Sequence, residues 1–258
     1  MHLRYITCSG TNESTDIKGL INLMKKYQYF AEIGVQVSDK QSPKGGERLE
    51  WIHDLVHELK AADRTINAAL HVNQGWVEQM CRGIVVPELE ELIGLKSVDG
   101  QPFFKRIQLN FKLGRDDVSP NCADTLVTLQ RHLNRQFILS FNESNERLVR
   151  ELYLKGLRFD CLYDSSFGKG ILPDFRKKPA FTHIVQGYAG GIDPQNVTSE
   201  LDKIARAIKN SPSCGVFYID AEKGLQGNDG HLSLEKCETY LMQARQWYLS
   251  HGDADVLF

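Results

Sequence analysis

The 258-residue sequence predicts an α/β fold, a single (β/α)8 TIM barrel. Eight short apolar runs rich in β-branched and aromatic residues recur at a regular spacing, and segments with helical periodicity lie between them. The length is close to the roughly 250 residues typical of this barrel. A doubly wound open sheet is the structural alternative. The barrel is favoured because the strand count is eight and no G-x-G-x-x-G follows the first strand.

Each predicted strand is a run of six to nine residues in which apolar side chains predominate, as expected for strands buried in a parallel sheet. The eight runs cover residues 3–8, 31–37, 65–72, 103–111, 136–141, 158–164, 181–189 and 214–220.

The helices are predicted from apolar residues spaced three and four positions apart, such as Ile17, Leu20 and Met24. Asp193 and Pro194 supply an N-cap and a first-turn proline for one of them. Residues 84–102 form a longer connection than a βα unit needs, and we expect an inserted helix and loop there. No linker interrupts the pattern, so residues 1–258 are predicted to form one domain. The helical segments cover residues 15–30, 46–62, 122–135, 145–158, 193–211 and 232–252.

The composition is that of an ordinary soluble protein, with 41% hydrophobic and 25% charged residues. The net charge of -2 lacks the basic excess that accompanies nucleic-acid binding. No apolar run is long enough to span a membrane, and the N-terminus has no signal-peptide core. The six cysteines include no C-x-x-C pair, which favours reduced thiols. We therefore expect a cytoplasmic monomer or homodimer without nucleic-acid or membrane partners.

Polar residues stand at the ends of all eight predicted strands, where this fold places its catalytic groups. Any one of them could be a hydrogen-bonded rim residue, but so many together predict a polar binding pocket. They are Cys8, Ser9, Glu32, Gln36, His71, Asn73, Gln108, Asn110, Ser140, Asn142, Asp164, Gln186, Tyr188, Asp220 and Glu222.

Two loops have the composition of a phosphate site. Gly190 and Gly191 directly precede a predicted helix, whose free N–H groups and dipole attract anions. Lys223 and Gly224 follow the eighth strand, and the loops after strands seven and eight commonly bind phosphate in this barrel. The glycine pair could also form a plain tight turn. The sequence nevertheless favours a phosphorylated ligand.

Four motifs resemble those of phosphoribosylanthranilate isomerase, a barrel enzyme of tryptophan biosynthesis. "YITCSG" is similar to the first-strand K-I-C-G, and "LYDSSFGKG" to an L-L-D-[ST] with a glycine-rich loop. "GGIDPQNV" closely matches G-G-[IL]-x-P-E-N-V. "DAEKGLQ" keeps Asp220 and Gly224 of D-x-S-S-G-V-E but has Glu222 and Lys223 in place of both serines.

The resemblance implies an Amadori rearrangement of an aminoaldose to an aminoketose, without a cofactor. It places Cys8 as general base and Asp164 as general acid. A cysteine becomes a base only where positive charge ionises it, and an aspartate becomes an acid only where its pKa is raised. The residues expected to bind the phosphorylated substrate are Gly168, Lys169, Gln108, Gln186, Gly190, Gly191, Asp220, Lys223 and Gly224.

The sequence departs from the family pattern in several places. The fourth strand reads "QLNF" where the family has Q-L-H-G, and the glycine of the first motif comes one residue late. The family's arginine after the second strand has only Lys40, Lys44 and Arg48 as shifted substitutes. The substrate is therefore left open.

Two alternatives remain on sequence grounds. Glu32, His71, Asp164 and Asp220 are an oxygen-rich set with one imidazole, as in a metal-dependent sugar isomerase or epimerase. The chain could also be a non-catalytic barrel that retained only its phosphate-binding loops.

Overall fold

The computed structural model describes residues 1–111, 121–164, 166, 168–209, 211 and 214–251. Its eight strands form a closed barrel in chain order, which confirms the predicted (β/α)8 barrel and excludes the open sheet. The strands are β1 (His2–Thr11), β2 (Ala31–Val37), β3 (Asn67–Val72), β4 (Phe104–Leu109), β5 (Gln136–Phe141), β6 (Phe159–Tyr163), β7 (Gln186–Tyr188) and β8 (Val216–Ala221).

Eight α-helices occur in the described ranges. They are α1 (Ile17–Lys26), α2 (Glu47–Ala61), α3 (Gly75–Cys81), α4 (Pro87–Gly94), α5 (Cys122–Leu133), α6 (Glu146–Leu154), α7 (Val197–Lys209) and α8 (Leu234–His251). None of them is both long and apolar enough to cross a membrane.

The chain divides into two compact units, which are described one at a time. The first unit comprises Met1–Ile33 and Cys161–Phe258, and the second comprises Gly34–Asp160. The division falls within β2 and within β6.

In the first unit, β8 lies between β7 and β1 and pairs with both in parallel. Thr7 pairs with Asp220, and Cys8 pairs with Ala221. Because successive side chains of a strand point to opposite faces, Thr7 and Ser9 share one face of β1, and Cys8 lies on the other. This alternation decides which strand-end residues can meet.

In the second unit, β3, β4 and β5 pair in parallel, with His71 opposite Gln108 and Arg106 opposite Gln136. The guanidinium of Arg106 donates to Asp160 Oδ2 at 2.8 Å, and both side chains are buried. Gln136 donates to the other oxygen of Asp160 at 3.2 Å. The buried carboxylate therefore has donors on both oxygens, as a charge in a protein interior requires.

Two connections differ from the predicted pattern of one helix after each strand. The β3–β4 connection holds two helices, of which α3 was not predicted and α4 lies within residues 84–102. The β6–β7 connection holds no helix in its described residues, and β7 is shorter than the predicted strand 181–189. Pro173 and Pro179 explain the missing helix, because proline and the residue before it resist helical geometry.

Candidate functional site

A hydroxyl–carboxylate pair lies at the carboxyl ends of β1 and β8. Ser9 Oγ donates to Asp220 Oδ1 at 2.6 Å, and the two residues are only 1% and 7% exposed. On the same face of β1, Thr7 Oγ1 donates to Glu32 Oε1 at 2.9 Å. Hydrogen bonds to charged acceptors are short and strong, so this pair holds the Asp220 carboxylate in a fixed orientation.

Cys8, the predicted general base, does not join this pair. The Cys8 thiol is fully buried on the opposite face of β1, where it hydrogen-bonds to the thiol of Cys237 at the start of α8. That hydrogen bond, together with burial, raises the pKa of Cys8 well above its usual value. A base needs the thiolate, which this surrounding disfavours.

Asp164 follows β6 and anchors the loop after it. Its Oδ1 accepts from the backbone N–H and the hydroxyl of Ser166 at 2.9 and 2.7 Å, and its Oδ2 accepts from Gly168 N at 2.7 Å. These three contacts explain why "DSS" closes the strand, since an aspartate fixes a turn by accepting from the following N–H groups. The carboxylate is partly exposed, so it remains reachable.

The predicted glycine pair lies beside this carboxylate. Gly190 and Gly191 both have positive φ, at 84° and 67°, which a side chain would resist. A Cβ on Gly190 would come within 3.1 Å of Asp164 Oδ1. A Cβ on Gly191 would overlap the backbone of Leu172 in the loop after β6. The glycines therefore permit close packing of the protein's own loop.

The loop after β8 contacts the same region. A Cβ on Gly224 would overlap Ile192 and Asp193, directly after the glycine pair. Lys223 is exposed, and its Nζ donates to the carbonyl of Lys169 at 3.2 Å. The structure thus brings Gly168, Lys169, Gly190, Lys223 and Gly224 into one loop cluster of the first unit.

Arg176 is the residue of this region that the sequence analysis missed. Its Nε donates to Glu200 Oε2 in α7 at 2.7 Å, and the two side chains are 0% and 1% exposed. Its terminal nitrogens donate to the carbonyls of Ala189 and Gly190 at 2.6 and 3.2 Å. One side chain therefore ties the loop after β6 to the glycine pair and to α7. No spacing pattern in the sequence links positions 176 and 200.

Gln186 does not lie with this cluster. Gln186 pairs with Phe217, whose side chain lies on the face of β8 opposite to Tyr218 and Asp220. The Gln186 amide donates to the carbonyls of Cys161 and Gly187. Gln186 therefore has a structural role in the interior. Gln108 belongs to the second unit, where its amide donates to Asn110 Oδ1 at 2.8 Å.

The four residues of the metal alternative do not assemble into a ligand set. The described residues contain no group of three or more His, Cys, Asp and Glu side chains that could hold an ion. Glu32 accepts from Thr7 and Asp220 accepts from Ser9, while His71 belongs to the second unit. The Glu32 and Asp220 carboxylates are thus committed to protein contacts, and the described residues do not support a metal-dependent isomerase.

The sequence and the structure were compared with protein families, curated proteins and solved structures. No protein-family model matches the sequence, and no curated protein matches it. Among solved structures, TrpF from Jonesia denitrificans aligns with a TM-score of 0.58 at 16% identity, covering 96% of this chain and 99% of that chain. Phosphoribosyl anthranilate isomerase from Thermotoga maritima aligns with a TM-score of 0.53 at 15% identity, covering 95% and 100%.

A glycoside hydrolase family 30 subfamily 8 xylanase from Clostridium acetobutylicum also aligns, with a TM-score of 0.53 at 9% identity, covering 95% of this chain and 72% of that chain. Identities of this size show a shared fold, which hosts many chemistries. The resemblance to the phosphoribosylanthranilate isomerases is therefore confirmed at the level of the fold, with this chain a divergent barrel.

Proposed function

We propose that the protein is an acid–base isomerase of a phosphorylated sugar or aminosugar, similar to phosphoribosylanthranilate isomerase. The observation that carries the proposal is the 2.6 Å hydrogen bond from Ser9 to the buried Asp220 carboxylate. In the family's K-I-C-G motif, the base is the residue directly before the glycine. In this chain the residue directly before Gly10 is Ser9. The carboxylate beside it supplies the proton acceptor that a serine lacks.

In this mechanism Asp220 removes the proton from C2 of the substrate, and Ser9 holds the carboxylate in place. Asp164 delivers a proton to the ring oxygen as the C1–O bond breaks. The resulting enol then gains a proton at C1 from Asp220 while its C2 hydroxyl gives up its proton to solvent, which leaves the ketose and the free carboxylate. Two groups with separate roles suit this chemistry, and each such group typically contributes about 10²–10⁴-fold in rate.

The phosphate would bind where the loops after β6, β7 and β8 meet. Lys169 and Lys223 supply exposed positive charge at this cluster, and Gly190 supplies a backbone free of a side chain. Arg176 supports the arrangement because it fixes the carbonyl of Gly190 and so orients the next peptide group. A cytoplasmic monomer or homodimer needing no cofactor accords with this proposal, and the six cysteines are free thiols.

The test is turnover of phosphoribosylanthranilate, followed by fluorescence, beside interconversion of ribose and ribulose 5-phosphates. Asp220→Asn and Asp164→Asn keep shape but remove the acid–base group, and each should lower kcat by about 10²–10⁴-fold. Cys8→Ser is the matched control and should retain at least a third of wild-type kcat. A loss confined to Cys8→Ser would show that the thiol, and not Asp220, is the base.

A non-catalytic barrel that binds a phosphorylated ligand is the second candidate. The observation that favours it is the engagement of both Asp164 oxygens by Ser166 and Gly168, which leaves the acid occupied by its own loop. Under this alternative, ribose 5-phosphate would raise the Tm of the wild type, no substrate would turn over, and Asp164→Asn would leave the binding of ribose 5-phosphate unchanged.

A further inference from the structure

Two cysteines of the second unit lie side by side at the ends of neighbouring helices. Cys81 is the last residue of α3, and Cys122 is the first residue of α5. The two helices pack together, and a Cβ on Gly83, just after α3, would lie 3.3 Å from the methyl group of Thr125 in α5. Within this contact the Cys81 thiol hydrogen-bonds to the Cys122 thiol. Both are free thiols, so the pair is a reduced dithiol whose side chains already touch.

The hydrogen bond makes the two thiols chemically unequal. Cys81 donates, which raises the pKa of Cys81, and Cys122 accepts, which lowers the pKa of Cys122. As the first residue of α5, Cys122 also lies where the free backbone N–H groups and the helix dipole stabilise a thiolate. Burial and the charge of Glu151 act in the opposite direction but do not reverse the shift. Because the thiolate is the nucleophile, Cys122 is the reactive member of the pair.

The other thiol pair of the protein has different surroundings. Cys8 and Cys237 also hydrogen-bond to each other, but both are 0% exposed, and Cys8 lies within β1, where the ladder with β8 holds it. Cys81 and Cys122 are 5% and 1% exposed. Hydrogen peroxide, little larger than water, can reach such thiols where a bulky aromatic reagent is excluded. Helix ends also yield more readily than a paired strand when two sulfur atoms approach to bonding distance.

From this geometry we propose that Cys81 and Cys122 are a redox-active dithiol, which hydrogen peroxide or another small hydroperoxide oxidises to an intramolecular disulfide. The Cys122 thiolate attacks one peroxide oxygen, the O–O bond breaks, and hydroxide leaves with the proton that the thiol had released, as water. The Cys81 thiol then attacks the sulfur of the Cys122 sulfenic acid, the S–O bond breaks, and a second water leaves with the Cys81 proton. The two sulfur atoms are oxidised and the peroxide is reduced. This proposal does not require the isomerase activity.

The experiment counts thiols in the full chain before and after oxidation. Reduced Cys214→Ser, which lacks the exposed thiol, is treated with hydrogen peroxide, quenched with catalase, and titrated in urea with a chromogenic disulfide. Five thiols should react before the treatment and three after it, and dithiothreitol should restore all five. Peptide mapping of the oxidised wild type by mass spectrometry under non-reducing conditions should identify the Cys81–Cys122 cross-link. The mapping needs no variant to fold.

Three further variants in the same background assign the roles of the two thiols. Cys122→Ser should lose no thiol to peroxide, whereas Cys81→Ser should lose one, as a sulfenic acid that dimedone traps. Cys237→Ser is the matched control, because it breaks the other pair, and it should still lose two. The proposal is overturned if peroxide removes no thiol from reduced Cys214→Ser, if Cys122→Ser still loses two, or if the cross-link joins Cys8 to Cys237.

Discussion

At the scale of single residues, the neighbours Cys8 and Ser9 at the end of β1 point to opposite faces of the strand. Ser9 meets a carboxylate, whereas Cys8 packs on the opposite face against the start of α8. A shift of one residue reverses the face of a strand side chain. The sequence contained a warning of this, since the glycine of the first motif lies two positions after Cys8. Face assignment needs the register with β8, which the sequence does not state.

His71 gives the protein an acid-sensitive stability. Below about pH 6.5 the unfolded chain protonates this histidine, while the folded protein keeps it neutral to about pH 3. The free energy of unfolding should therefore fall as the pH falls, by about 2 kcal/mol between pH 7.5 and pH 5 from this group. Urea unfolding at the two pH values measures the change.

The control for the acid effect is a comparison of two variants. His71→Phe should remove about 2 kcal/mol of the pH dependence, whereas His57→Gln, at an exposed position, should leave it intact. An identical pH dependence in wild type and His71→Phe would contradict the assignment.

At the scale of elements, the described residues between β6 and β7 form no helix. Arg176 fixes it to α7 and to the glycine pair, and Tyr188 Oη donates to the carbonyl of Lys177 at 3.1 Å. The prolines and glycines of the sequence are sufficient to predict a loop between β6 and β7. Its path could not be predicted, because Arg176 and Glu200 interact across 24 positions of chain.

Removing Arg176 should both destabilise the protein and weaken substrate binding. Among the described residues, Arg176→Met leaves the fully buried Glu200 with Lys203 as its one charge partner, which should cost about 3–5 kcal/mol in urea unfolding. Lys203→Met removes the partly exposed partner and should cost about 1 kcal/mol or less. Equal losses of unfolding free energy in the two variants would show that the buried Arg176–Glu200 pair contributes no more than the partly exposed Lys203–Glu200 pair.

The two kinds of glycine in this region can be told apart by alanine substitution. Gly168→Ala meets no atom within 4 Å and should cost only the backbone strain of its positive φ, about 1 kcal/mol. Gly191→Ala adds an overlap with the Leu172 backbone and should cost about 3 kcal/mol in total. Thermal and urea unfolding measure both, and similar losses would mean that the loop yields at Gly191.

At the scale of the whole molecule, the barrel could be predicted from the repeating pattern of hydrophobic residues along the sequence. Eight apolar runs and the helical periodicity between them were sufficient to predict the barrel, because burial on both faces leaves a local signal. The short α3 was missed since seven residues carry too little periodicity. The grouping of site residues depends on loop packing, for which no local signal exists.

The distribution of thiols offers a test over the whole chain. Of six free cysteines, five are buried and only Cys214 is exposed. The native protein should react rapidly with about one equivalent of a thiol-specific chromogenic disulfide, and six should react in urea. Cys214→Ser should abolish the rapid reaction. Rapid reaction of two or more thiols in the native protein would contradict the buried positions.

The lack of a helix in the described residues between β6 and β7 has a consequence for the tolerance of mutations there. A helix spreads its stability over a ladder of repeating hydrogen bonds, so most single substitutions remove only a small share. In the segment described here, the Arg176 guanidinium makes three of the contacts to other elements. Most positions within residues 168–185 should therefore tolerate substitution, whereas position 176 should not.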